Sequence, residues 1–403
     1  MNFVEPSLRN QALATERFGR DVLGPIFAEF AHRLWMFQYY FPAAEDTTLL
    51  FCARGGMRLR LLYEAFLAAT GLPAPMPHDD LMISRLVAAR TCLAAPGRAL
   101  IEELGREFEG QTMAEVAHVL AQDPAIALEE AWHRPFEGAA FLELYRSAAP
   151  GSVRLREAVA RQDGAFRRHL AGRCAGRGQV ILCDTGLYGS TVRLLRDGVP
   201  DTRWFAAQFA RSNYKRFATP HFDVTVGLSV ERDGYCPWNA RTSVLRFWHL
   251  VEAVLEPDLE SVKSFSDELE PRSNLEIAGW RERIALDRTG LFAGALSYLE
   301  TFSPAGLPDL EQTAERAWRR LRQAVIWPKI TDLEILTLAP RARDFGRSEP
   351  VHQFPDGASI SASLWREGAL LQRYRNKGRL GLVLLEAIHA GRFLRRRFAK
   401  PRG

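Results

Sequence analysis

No Cys-x-x-Cys pair occurs among the five cysteines Cys52, Cys92, Cys174, Cys183 and Cys236. Their scatter gives neither a zinc site nor a disulfide framework, and it suits a reducing compartment. No run of 18 apolar residues is present, so no membrane-spanning helix is expected. The opening stretch MNFVEPSLRNQALATERFG lacks the apolar segment of a signal peptide, and a cytoplasmic location is expected. The P-loop pattern GxxxxGK[ST] is missing. Residue 189 is Gly, so Cys183 does not open a Cys-x5-Arg phosphatase loop. Internal repeats and low-complexity tracts are also absent. A large charge excess is lacking too: 53 Lys and Arg face 48 Asp and Glu, a net +5. That balance suits an anionic small molecule or a membrane surface, and no nucleic-acid partner is expected.

What is present is a globular balance, 47% hydrophobic and 25% charged, over 403 residues. This length suggests more than one simple core. Short apolar strands alternate with amphipathic helices, which predicts an α/β protein with a mostly parallel sheet. Strands are read at DTTLLFC, LMIS, QVILCD, RWFAAQFA and FDVTVGLSVE. The expected division is an α/β core over 1–270, with a helical insertion at about 96–175, and a helical C-terminal region over 271–403.

Two strand ends carry the chemistry. The first runs from LLFC into Ala53-Arg54-Gly55-Gly56, and a helix follows. The second runs from VILCD into Thr185-Gly186-Leu187-Tyr188-Gly189-Ser190-Thr191, again before a helix. Glycines let main-chain N–H groups approach an anion, and a helix N-terminus adds unpaired donors and a positive dipole end. Arg54 can fork onto phosphate oxygens, and Ser190 and Thr191 add hydroxyls. Asp184, at a strand tip, suits ribose hydroxyls or Mg²⁺. Cys183 reads as a buried strand residue. Arg85, at the end of LMIS, is a second candidate for phosphate. Arg211 and Lys215 in ARSNYKR are further candidates for the phosphate field. On the helix RFWHLVEAVLE, His249 and Glu252 share one face; in the mechanism that the resemblance given below implies, Glu252 is the candidate general base.

Together these loops resemble the type I phosphoribosyltransferase pattern. In that pattern an apolar strand ends in R-G-G, and a later strand carries acidic residues before a T-G-x-T loop for the 5-phosphate of phosphoribosyl pyrophosphate (PRPP). Here ARGG matches the first part and CDTGLYGST the second, with Cys183 at the first acidic position and Tyr188 at a usual Thr. A wider resemblance, from about residue 45 to 265, is to the phosphoribosyltransferase-like domain often fused to HAD-type phosphatases in bacterial surface-polysaccharide gene clusters. It rests on FCARGG (51–56), LMISR (81–85), DTGLYGS (184–190) and LVEAVLEPDLES (250–261), and SLWREGALL (363–371) extends it.

The resemblance implies transfer of 5-phosphoribose from PRPP to a glycan acceptor, with Mg²⁺ and release of pyrophosphate. It assigns Arg54, Gly55, Gly56 and Arg85 to pyrophosphate, Thr185 to Thr191 to the 5-phosphate, and Asp184 to ribose or metal. No early DxD phosphatase motif is seen, so a HAD-type phosphatase partner would be a separate protein. A transferase for a base or small acceptor, and a non-catalytic PRPP- or nucleotide-sensing module, stay as alternatives. Finally, the tail 379–402 is too short in its apolar part to span a bilayer. With Arg392, Arg395, Arg396, Arg397 and Lys400 beside Phe393 and Phe398, it suits an anionic membrane surface; the alternative is a domain-closing helix.

Overall fold

The computed structural model describes residues 6–214, 220–256, 261–266, 271–272, 290–342, 345, 350–355, 357, 359–374 and 378–398. A five-stranded parallel sheet organises the chain. Its strands are β1 (Thr47–Cys52), β2 (His78–Leu81), β3 (Gln179–Leu187), β4 (Arg203–Arg211) and β5 (Thr225–Glu231), in spatial order β2-β1-β3-β4-β5. Every residue of β1 is buried. Parallel strands covered on both faces have no wet side, which is why β1 and the start of β3 read as unbroken apolar runs.

The connecting helices follow from the same sequence periods. Helices α1 (Pro6–Phe18) and α2 (Gly24–Tyr39) precede the sheet, joined by one π-helical stretch, Gly19–Leu23. Helix α3 (Gly55–Thr70) follows β1 and stops at Gly71, whose φ of 71° supplies the left-handed C-cap. The segment between β2 and β3 is helical: α4 (Arg85–Thr91), α5 (Arg98–Glu107), α6 (Met113–Ala121), α7 (Gly138–Arg146) and α8 (Pro150–Cys174). Helix α9 (Ser190–Gly198) links β3 to β4, and α10 (Trp248–Leu255) follows β5. The chain leaves β1 toward β2 but leaves β3 toward β4, the opposite direction. Right-handed crossovers therefore put α3 and α9 on opposite faces. The reversal falls between β1 and β3, where α/β sheets bind ligands at their carboxyl ends.

The short strand expected at LMIS is shifted. β2 pairs with β1 from His78↔Leu49 to Leu81↔Cys52 and ends there, because β1 ends there. Ser84 instead caps α4, accepting from the Val87 N–H at 3.3 Å, and Arg85 is the first residue of that helix.

The C-terminal helices are α11 (Gly290–Glu300), α12 (Leu310–Ile326), α13 (Ile330–Ile335), α14 (Arg366–Tyr374) and α15 (Gly378–Phe398). They join the core of the N-terminal region. Trp318 Nε1 donates to Glu29 at 3.1 Å, and Arg241 grips the same carboxylate at 2.6 and 2.7 Å. Main chains touch at glycines: a Cβ on Gly294 would lie 1.9 Å from the Glu16 carbonyl oxygen. Among the described residues no helix is long and apolar enough to cross a membrane.

Candidate functional site

A cleft of about 640 Å³ opens at the sheet reversal. The bend after β1 and the end of β3 with the bend that follows it both line it, and they touch. A Cβ on Gly55 would sit 2.6 Å from Thr185 Cγ2, so the absence of a side chain there lets the two bends meet. Arg54 occupies the N-cap position of α3, and Gly189 that of α9. Two helix N-termini thus face one cavity, a strong anion-binding arrangement. The β3 bend requires its glycines. Gly186 has φ 125°, and a Cβ there would lie 2.0 Å from the Ala210 carbonyl oxygen; Gly189 has φ 74°. The Ala53–Arg54 and Gly186–Leu187 peptides are cis.

Arg54, Gly55, Arg85, Asp184, the whole run Thr185 to Thr191, His249 and Glu252 line this cleft. Gly56 does not. A Cβ on Gly56 would meet the Cys183 oxygen and the Phe51 carbonyl carbon at 2.9 Å each, so this glycine lets α3 approach β1 and β3. Arg211 also stays out: it pairs with Glu231 and lies over the Phe222 ring at 4.4 Å. Lys215 lies outside the described residues.

The charges of the cleft are arranged in pairs. Arg54, with only 3% of its side chain exposed, meets Glu256 at 2.9 Å. Arg341 bridges Glu252 at 2.7 Å and Glu256 at 3.7 Å. Arg85 meets Glu107 at 3.4 Å. The Ser190 hydroxyl donates to Glu103 at 3.0 Å and is engaged there rather than waiting for a ligand. Asp184 Oδ1 accepts the Thr185 N–H at 2.7 Å. Gln208 is the register partner of Asp184 on β4 and lines the same cleft, 3% exposed, with Oε1 lacking a partner among the described residues. Tyr188 is buried, its ring beside His221 at 5.0 Å and Phe222 at 5.6 Å, while its carbonyl accepts from His221 Nε2 at 2.7 Å.

Cys183 is fully buried. Burial first, and then the Asp184 charge, raise its thiol well above the ordinary value. A thiolate nucleophile is therefore not available there. Among the described residues no group of three or more His, Cys, Asp or Glu is placed to hold a metal ion. Mg²⁺ commonly takes one or two carboxylates and completes its shell with substrate phosphates and water. Asp184, lining the cleft beside the two bends, could supply one such carboxylate.

Sequence reading missed Glu256, Arg341 and Gln208, and it missed the far wall. That wall is built by Tyr214, Asp233, Trp248 and, from α15, His389, Arg392 and Phe393. Arg392 and Phe393 were singled out in the tail, and Tyr214 and Trp248 adjoin the candidates Lys215 and His249, but none of the four was assigned to this cleft.

Three buried histidines give a pH signature. Burial holds His169, His221 and His249 at about 4, with Arg173, Arg193 and Arg341 respectively adding to the effect. His169 Nε2 accepts the Met82 N–H at 3.2 Å and must lack a proton to do so. The folded values lie below the ordinary 6.5, so the unfolded chain binds protons first as pH falls. Stability from these groups is complete above about 6.5 and is lost progressively toward 4. The thermal midpoint is expected to fall steadily across that window; a midpoint constant from pH 7 to 4 would rule out neutral buried imidazoles.

No family model matches this chain, and no protein of curated function matches it.

Proposed function

We propose that this chain is a PRPP-dependent phosphoribosyltransferase that moves 5-phosphoribose onto a glycan hydroxyl and releases pyrophosphate. The observation carrying this reading is the contact of two glycine-bearing bends at the sheet reversal, with Asp184 lining the same cleft. The anchors sit on strand tips and helix starts, which suits precise positioning.

In this reading Arg54 and the main chain at Gly55 hold pyrophosphate, and the bend from Thr185 to Thr191 holds the 5-phosphate. Arg85 approaches the pyrophosphate side. Asp184 faces the ribose hydroxyls and would hold Mg²⁺, which supplies charge neutralisation for the leaving pyrophosphate. The acceptor oxygen bonds to ribose C1 as the C1–O bond to pyrophosphate breaks. Pyrophosphate departs with that electron pair, and the acceptor proton goes to a base. Glu252 is the proposed base, with neutral His249 one turn before it on α10. Before a donor binds, Glu256 occupies Arg54, so pyrophosphate must take over that guanidinium.

A second reading is a PRPP- or nucleotide-sensing module without turnover. Cys183 favours it, because a buried thiol stands where the resembling family has a carboxylate. Pyrophosphate release from PRPP and Mg²⁺, measured with and without glycan acceptors, separates the readings. The transferase reading expects acceptor-dependent release. Binding without release supports the sensor, and release with a purine or pyrimidine supports a salvage-like enzyme.

A further inference from the structure

Helix α15 has two unlike faces. On one side Leu382 and His389 are buried, Glu386 Oε1 accepts from the Tyr235 hydroxyl at 2.7 Å, and Phe393 meets Trp238 at 5.5 Å. His389, Arg392 and Phe393 line the cleft. The opposite side carries Leu380, Val383, Leu384, Ile388 and Leu394, exposed by 81, 56, 64, 42 and 42%. The spacing of three or four residues gathers these into one stripe, and Ala387 and Gly391 lie within it. Among the described residues these five side chains stay exposed.

The charges beside the stripe are of one sign. Exposed Arg379, Arg392 and Arg395 flank or end it, and the sequence adds Arg396 and Arg397 in the last turn. The only acid of the helix, Glu386, is turned inward, 13% exposed, toward Tyr235 and Arg322. Trp238, 66% exposed, stands beside the C-terminal part of the helix. Apolar residues on one side and arginines at its edges are the features of a helix lying in a bilayer interface.

We infer that the outer face of α15 docks on a membrane surface bearing anionic phospholipid headgroups. The same helix, about 10 Å across, separates that surface from the cleft. The mouth of the cleft would then stand at the headgroup level. A glycan acceptor carried on a lipid could reach it without leaving the membrane. That last step rests on the transferase reading; the docking itself does not.

Co-sedimentation of the full chain with vesicles tests this directly. Vesicles of phosphatidylcholine with phosphatidylglycerol should pellet the protein, and phosphatidylcholine alone should pellet at least 10-fold less. Raised salt should weaken the binding, as expected for arginine–headgroup attraction. The double variant Leu384→Glu with Ile388→Glu should lose at least 10-fold of the anionic-vesicle binding. Both residues are exposed, so its thermal midpoint should stay close to wild type, and pyrophosphate release with a soluble acceptor should be retained. Failure to bind anionic vesicles overturns the proposal. So does a dimer by light scattering that the double variant converts to monomer, because a second copy would then be the occupant. The vesicles contain neither PRPP nor glycan, so this result stands apart from the fate of the transferase reading.

Discussion

Asp184→Asn is expected to lower pyrophosphate release from PRPP by about 100-fold or more, with little change in folding. The argument separates the two roles of this side chain. Locally, Asp184 Oδ1 accepts the Thr185 N–H, and an amide oxygen in the same place can still accept it. The bend should therefore keep its shape, and the stability change should stay below about 1 kcal/mol. In the proposed reading, the amide cannot supply the negative charge that would face the ribose and Mg²⁺. Steady-state kinetics should show the loss chiefly in kcat, since the two phosphate anchors remain. Retained activity in Asp184→Asn would remove this carboxylate from the chemistry.

The second large effect is on stability. Gly186→Ala is expected to destabilise the fold by about 3 kcal/mol or more, adding backbone strain to a clash. The new Cβ would lie 2.0 Å from the Ala210 carbonyl oxygen, at a φ of 125° that side chains rarely adopt. That oxygen belongs to β4, whose Ala210 is the register partner of Gly186, so neither side can retreat without opening the sheet. Gly172→Ala is the matched control. Gly172 lies in α8 with nothing within 4 Å of its Cβ position. There Ala should be neutral or stabilise by about 0.5–1 kcal/mol, the usual helix preference. Chemical denaturation of the two variants side by side reads the difference. Similar midpoints would mean that the β3 bend tolerates another path.

Much of the sheet was legible because buried parallel strands announce themselves. TLLFC and VILC are short, apolar and followed by glycine, and both became strands whose bends share one cleft. Strand ends were harder to see. Met82 and Ile83 are as apolar as a strand requires, yet β1 offers no residue beyond Cys52 to pair with them. Gly56 looked like a ligand amide because glycine serves both anion loops and close packing, and only the neighbouring Cys183 oxygen shows which one applies. Ser190 likewise looked available until Glu103, 87 positions away, took its hydroxyl. Ion pairs were least legible. Arg54 finds Glu256, and Glu252 finds Arg341, across distances in the chain that no local period encodes. In the tail, the inner face helps to close the cleft, and the outer face is exposed, apolar and basic.

Backbone amide exchange with and without PRPP–Mg²⁺ addresses the shared cleft most directly. If a single donor spans both bends, peptides covering residues 53–57 and 185–192 should slow together, at the same donor concentration. Protection of one segment alone, or of neither at saturating PRPP, would contradict a common ligand for Arg54 and the Thr185–Thr191 bend.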